Sequence, residues 1–373
     1  MKIKPELLDA ISNEQAVYWN SSTYVPKEGY GYAFAKYTEA LKKLGIYSII
    51  PSDLAPELKD AIKYLIYEFT VDTGGPPVIN HCLPNTYIKG TGINIGMTYW
   101  ETDTVPEFWV PHMNSMDEIW TSSKFIRGVY EKQEVNNSIK DFNQGVDPEV
   151  YWMSYEAPRT DKFTFLSFGS PSERKNAQYA YNAFMDLFEG NSDYHLIVKS
   201  SGACSVRNIK NGENLGSIYN HPQVTVVDEM ITDEEISALY RSVHCLVYPT
   251  SGEGWGLVPF TAIACGTPTI CTNATACTEF ADKSIHLNFK WEYTHQHRGG
   301  QHGLYQYGGK WAEPDQDDLR EKMQSVADNY ESYKSLTIAA GMGLQRTHTW
   351  DRAAAKMAMR LQEIGAVSQV HVS

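Results

Sequence analysis

The sequence predicts an α/β fold built from two doubly wound parallel sheets. Three observations point to it. Strand-like apolar runs alternate with helical patterns along most of the chain. The alternation comes in two series, the second starting near residue 162. The length, 373 residues, is about twice the usual size of a single domain. Hydrophobic residues make up 42% and charged residues 21%, which excludes a disordered or fibrous chain. No apolar run approaches the ~18 residues of a membrane span. The opening MKIKPELLDAISNEQ turns acidic before any long apolar stretch, so no signal peptide is expected. The net charge of −13 is shared about evenly between the halves and gives no support to nucleic-acid binding. Six cysteines, none in a C-x2-C pair and most in apolar runs, read as reduced, buried thiols of a cytoplasmic protein.

In the first series, Ala16 to Trp19 is a strand ending in polar Asn20-Ser21-Ser22. A loop containing Gly29 and Gly31 then leads into a helix marked by Ala33, Phe34, Tyr37, Leu41 and Leu44, with Gly45 as the stop. Further strands are expected at Ile46–Ile50, Val78–Asn80, Ile93–Tyr99 and Glu118–Trp120. The second series opens with the strand Phe163–Gly169 and a loop Ser170 to Asn176. A helix carrying Ala180, Ala183, Phe184 and Leu187 follows. Strands follow at His195–Lys199, Val224–Val227, Cys245–Pro249 and Thr267–Cys271, with a short helix around Ile236, Leu239 and Tyr240. The segment between Gly145 and Phe163, with Pro148 and Pro158, marks the domain boundary. The expected division is 1–155, 156–349 and a C-terminal helical piece 350–373 that packs back toward the N-terminal domain.

The segment Ser251-Gly252-Glu253-Gly254-Trp255-Gly256-Leu257 carries the most chemistry. A strand ends, a glycine-rich turn follows, and an apolar helix runs to Gly266. Glycines admit close approach of a ligand, and a helix start offers free N–H groups and a partial positive charge to an anion. An ordinary βα turn has the same composition, so the segment alone does not decide the matter.

Together with Ala262-Ile263-Ala264-Cys265-Gly266-Thr267-Pro268, this segment resembles the donor loop of retaining GT-B glycosyltransferases, glycosyltransferase family 4 or group 1 type. Ile95 to Asp103, Asp117 to Phe125, Gly145-Val146-Asp147, Glu173 to Asn176 and Gly309 to Asp315 resemble further motifs of that family, in its order. The resemblance implies two Rossmann-like domains facing across a cleft. The N-terminal domain would take the acceptor and the C-terminal domain the nucleotide-sugar donor.

By position, the resemblance makes Glu253 the anchor for the transferred sugar, with Gly254, Trp255, Gly256 and Leu257 forming the donor turn. The second glutamate of the family's E-x7-E pattern, which holds the ribose, is replaced here by Thr261. Lys175 matches the lysine that neutralises the donor diphosphate. The family's partner arginine has Ser170 in its place, and Arg174 is its deputy. The alternative for Arg174 and Lys175 is a solvated loop pair. Lys199, ending a strand, is a second cationic candidate. Gly29 and Gly31 match a flexible loop near the leaving phosphate, or simply cap a helix. His81 and Glu101 follow strands and are the catalytic candidates of the first half. For His81 a core histidine and for Glu101 a surface ion pair are the plain alternatives. His286, His295, His297 and His302 have irregular spacing and no framing carboxylates, which argues against a metal cluster.

The implied activity is metal-independent, retaining transfer of a hexose-type sugar from a nucleoside diphosphate, UDP- or GDP-linked. The acceptor would be a sugar, lipid, protein or modified base. No cofactor beyond the donor substrate is expected. Rivals are a nucleotide-sugar epimerase or phosphorylase on the same fold, or a binding protein with a degenerate site.

Overall fold

The computed structural model describes residues 9–10, 13–24, 29–50, 75–158, 160–169, 172–200, 221–294, 304–307 and 309–368. The chain divides into two compact units, residues 1–100, 105–145 and 348–373 in one, and 101–104 and 146–347 in the other. The division thus falls after Gly145, earlier than the expected 155/156. A four-residue piece of the first series belongs with the second unit.

The first unit is a six-stranded parallel sheet of β1 (Ala16–Ser21), β2 (Tyr47–Ile49), β3 (Val78–His81), β4 (Asn94–Met97), β5 (Glu118–Thr121) and β6 (Ser138–Asp141). Their order is β2-β1-β3-β4-β5-β6. The chain leaves β1 to one side and returns on the other, so the sheet's topological switch lies between β1 and β3, which pair from Tyr18↔Val78 to Ser21↔His81. The four central strands are short and almost wholly buried, as parallel strands covered on both faces must be.

The helix on this unit begins at Gly29, so Gly29 and Gly31 lie in its first turn and not in a loop before it. The reason is Tyr30, whose hydroxyl bonds Thr98 Oγ1 (2.7 Å) and accepts from the Tyr99 backbone N–H (2.9 Å). These bonds tie the helix start to the segment after β4. The final helix, Trp350–Glu363, packs on Gly29–Lys43 through an edge contact of Trp350 with Tyr37. Near its end Arg360 reaches buried Glu118, its Nε 3.2 Å from both carboxylate oxygens and its Nη2 bonding one of them.

Burial works to raise the Glu118 carboxyl, but hydrogen bonds from Arg360 and Trp120 leave it below the ordinary glutamate value. A carboxyl depressed in the folded state adds stability above its unfolded value of ~4.3 and loses it as pH falls through the folded value. Arg360→Ala strands the carboxylate. We expect a stability loss of about 2 kcal/mol, less than for a fully buried pair because the guanidinium is partly exposed. Acid unfolding should move to higher pH. Urea titrations at pH 7 and pH 4 check both, and equal midpoints at pH 7 would remove the ion pair from the account.

The second unit holds another six-stranded parallel sheet: β7 (Phe163–Phe168), β8 (Tyr194–Lys199), β9 (Val224–Val227), β10 (Cys245–Tyr248), β11 (Thr269–Thr272) and β12 (Ile285–Leu287). The order is β12-β11-β10-β7-β8-β9. Alternation along the strands feeds two cores. Leu166, Leu246 and Tyr248 join one with Phe260 and Ile263, while Phe165, Val247 and Ile270 join the other with Phe184 and Leu196. The helix Asp233–Ser242 opens with a full capping box between Thr232 and Glu235. Beyond β12, Phe289–Tyr293 is a strand, β13, paired antiparallel with β14 (Lys310–Pro314). Here too the chain leaves β7 through β8 and β9 on one side and returns through β10 on the other. In open α/β sheets, the carboxyl ends at such a switch are where ligands bind.

Five cysteines, Cys82, Cys245, Cys265, Cys271 and Cys277, are buried and free, and Cys204 lies outside the described residues. Among the described residues no helix is long and apolar enough to cross a membrane.

Candidate active site

Two turns meet at the switch point of the second sheet. The turn after β7 carries Arg174 and Lys175 in a short 3-10 segment, Glu173–Lys175. The turn after β10 carries Gly252 and Glu253. They are stitched together by backbone: Ser251 N–H donates to the Arg174 carbonyl (2.7 Å), and Ser251 in turn accepts from Ala312 N–H on β14 (2.8 Å). The Glu253 backbone N–H is held by Thr275 Oγ1 (3.0 Å).

On this frame a compact charged cluster assembles. Glu253 Oε1 accepts from Lys175 Nζ (2.5 Å), Arg174 Nη1 (3.2 Å), the Tyr248 hydroxyl (2.8 Å) and Thr250 Oγ1 (2.8 Å). Four donors converge on one oxygen, while Oε2 has no hydrogen-bond partner among the described residues. Lys175 also donates to Tyr248 Oη (2.6 Å), and Arg174 Nη1 to the Gly252 carbonyl. Glu101 joins from the piece 101–104, with Oε1 3.7 Å from Arg174 Nη2 and Oε2 accepting from Tyr305 Oη (2.9 Å). Asp103 fastens that piece to β14, donating its N–H to the Lys310 carbonyl and accepting from Lys310 N–H. Gly252 is required at the crossing, since a Cβ there would collide with the Glu101 carbonyl.

The electrostatics follow from the geometry. Burial works to raise the Glu253 carboxyl, but the Lys175 and Arg174 charges overcome it and hold the group down at about 2. Burial also lowers the Lys175 ammonium below the ordinary lysine value, yet the pair remains ionic because the carboxyl lies far lower. For Arg174, burial opposes the charge and is outweighed by Glu101 and Glu253, which raise it. The cluster therefore keeps the Glu253 carboxylate ionised between two cations beside a helix start at Gly256, which stands at φ 95° where glycine is favoured. Such a set can bind an anion through its cations and a hydroxyl through the open Oε2.

A family model described as Family 4 Glycosyltransferase in conflict systems matches residues 124–357. The chain belongs to this family. As a whole the glycosyltransferase has the GT-B fold, shared with several solved structures. Sucrose-phosphate synthase from Thermosynechococcus elongatus superposes with a TM-score of 0.65 at 14% identity, covering 94% of this chain and 99% of that one. Anabaena HepE, solved with UDP and glucose, gives 0.67 at 10% identity and covers 94% and 100%. A glycosyltransferase from Rickettsia africae gives 0.66 at 13% identity and covers 94% and 98%. In sequence, O-antigen chain mannosyltransferase B of Escherichia coli is 39% identical over 49 residues. That match spans 13% of the glycosyltransferase chain and 13% of the relative's length.

The structure brings together Glu253, Arg174, Lys175 and Glu101 of the residues singled out from sequence, and it places the others differently. His81 ends β3 in the other unit at 0% exposure, its Nδ1 3.3 Å from Ser21 Oγ and its Nε2 2.9 Å from Tyr99 Oη. Burial pushes its imidazole down to about 3, so the ring is neutral, and both nitrogens are committed to protein partners. Its placement is that of the core histidine, the plain alternative named from sequence. Lys199 is likewise engaged by protein, donating to the carbonyls of Ser200 and Glu229 (2.7 Å to the latter) over the Phe168 ring. Trp255 packs its indole into the core against Phe260 and Phe280. Gly254 is buried beside it, and Leu257 begins the helix Leu257–Ala264.

Thr261 turns its hydroxyl back onto its own helix, donating to the Leu257 carbonyl (2.7 Å), with the buried Tyr240 hydroxyl 3.4 Å away. Its hydroxyl is thus spent inside the helix. Ser170, His295, His297 and His302 lie outside the described residues, and His286 is exposed on β12. Sequence reasoning missed Tyr248, Thr250 and Tyr305. The first two end β10 and open its turn, a position that marks site residues in such sheets. Tyr305 carried no signal at all.

Proposed function

We propose that the chain transfers a hexose-type sugar from a UDP- or GDP-linked donor to an acceptor, with retention of anomeric configuration and without a resident metal. The observation that carries this reading is the Lys175–Arg174–Glu253 cluster at the switch point, with one glutamate oxygen saturated and the other open. Lys175 and Arg174 are suited to a diphosphate, and Glu253 Oε2 to a hydroxyl of the transferred sugar. HepE, which shares the fold, holds UDP and glucose, and the mannosyltransferase match supports a hexose.

As the glycosidic bond breaks, charge grows on the leaving diphosphate. Fixed cations and helix-terminal N–H groups stabilise that charge more in the transition state than in the ground state, which is what lowers the barrier. The leaving phosphate is itself the base nearest the incoming hydroxyl in this reading. Glu253, ionised and bound by four donors, is poorly suited to accept a proton and serves as anchor. With the Thr261 hydroxyl occupied, the ribose has no carboxylate partner at that position.

The test is a panel of UDP- and GDP-sugars incubated with candidate acceptors, read by mass detection, with the product anomer assigned by NMR. We expect acceptor-dependent transfer with retained configuration that survives exhaustive chelation. Turnover of donor without acceptor would favour an epimerase, a requirement for free phosphate a phosphorylase. Activity lost on chelation and restored by magnesium or manganese would overturn the metal-free reading.

A further inference from the structure

Asn176 closes the turn that carries Arg174 and Lys175, and it stands in left-handed backbone at φ 51°, ψ 37°. Among residues with a side chain, asparagine enters that region most readily. The position precedes the helix Ala177–Phe188, where an asparagine commonly caps the first turn, yet its side chain makes no cap bond. Both amide hydrogens go instead to the opposite turn, to the Pro249 carbonyl (2.9 Å) and to Ser251 Oγ (2.8 Å). The side chain is buried, with the residue 9% exposed.

We infer that Asn176 is a positioning residue of the donor site, a latch that sets the turn after β7 against the turn after β10 and so holds Lys175 and Arg174 on Glu253. Two chemical demands explain the residue. Glycine would suit the backbone but leave both acceptors unpaired. Aspartate would set a carboxylate against the Pro249 carbonyl. Only a short amide supplies two donors from left-handed backbone. Asn176, its amide spent on Pro249 and Ser251, acts through Lys175 and Arg174. The consequence for nucleotide binding rests on the donor-site reading above, while the latch itself does not.

The test uses Asn176→Gly, which keeps the backbone conformation and deletes the latch. Ser251→Ala, which removes one of the two bonds, guards against a folding failure of the first. Each protein is acylated with an amine-selective ester at pH 8, and the labelling of Lys175 and of buried Lys334 in the same unit is followed by peptide mass spectrometry. Lys175 should label at least fivefold faster in Asn176→Gly and less so in Ser251→Ala, with Lys334 unchanged. Whichever of UDP or GDP binds the wild type should bind Asn176→Gly at least fivefold more weakly by calorimetry. Lys175 labelling equal to wild type, or rising in step with Lys334 as general loosening would produce, overturns the latch. Faster Lys175 labelling alone, with neither nucleotide bound by the wild type, upholds the latch and overturns the donor reading.

Discussion

Glu253→Gln lowers sugar transfer at least tenfold while the chain stays folded. The substitution conserves shape and leaves an acceptor for Tyr248 and Thr250, but it removes the charge that Lys175 and Arg174 share at 2.5 and 3.2 Å. Hydrogen bonds to charged groups contribute about 1.5–3 kcal/mol, and 1.4 kcal/mol is a factor of ten in rate. Loss of a single such contact thus reaches tenfold. Released from Glu253, the two cations repel each other and no longer meet the diphosphate as a fixed pair. Initial rates under subsaturating donor, beside a thermal melt of both proteins, measure the effect. Wild-type rates in the variant would remove Glu253 from the reaction.

Lys175→Met has an effect of similar size, with a signature in pH that a packing defect would not give. In the wild type the Glu253 carboxyl is held at about 2, so it stays ionised from pH 5 to 9 and contributes no limb to the rate profile there. Without the ammonium, burial is opposed only by Arg174 and by the hydrogen bond from Tyr248, and the carboxyl rises. The acid limb of the variant's profile should move upward relative to wild type, together with an at least tenfold loss at pH 7. Stability follows the same sign. A depressed carboxyl stabilises above its unfolded value of ~4.3 and loses that contribution as pH falls toward 2, so the variant should unfold in acid at higher pH. A uniform loss of rate with an unshifted profile would speak for damage to the packing around Tyr248 instead.

Much of this architecture was legible because the central parallel strands are buried on both faces and so read as continuous apolar runs, as at Phe163–Phe168 and Cys245–Tyr248. The turn at Gly252–Leu257 was legible for a related reason: a close crossing and a left-handed N-cap both demand glycine, and glycine shows in a sequence. What could not be read is pairing over distance. Tyr305 meets Glu101 across 204 positions, and Asn176 meets Ser251 across 75. Neither residue type announces its partner. His81 shows an ambiguity that the sequence could not resolve. A strand-end histidine suits a site and a core equally well, and here Ser21 and Tyr99 occupied both nitrogens. Thr261 shows the converse, since its departure from the family pattern was visible, yet only the helix geometry revealed that its hydroxyl is internally spent.

The central claim, that Lys175 and Arg174 receive a diphosphate, is tested most directly by calorimetric titration of the wild type and Lys175→Met with the diphosphate and monophosphate of one nucleoside, uridine or guanosine. The wild type should prefer the diphosphate, and Lys175→Met should weaken the diphosphate at least tenfold but the monophosphate far less. Equal affinities of the two proteins for the diphosphate would contradict it.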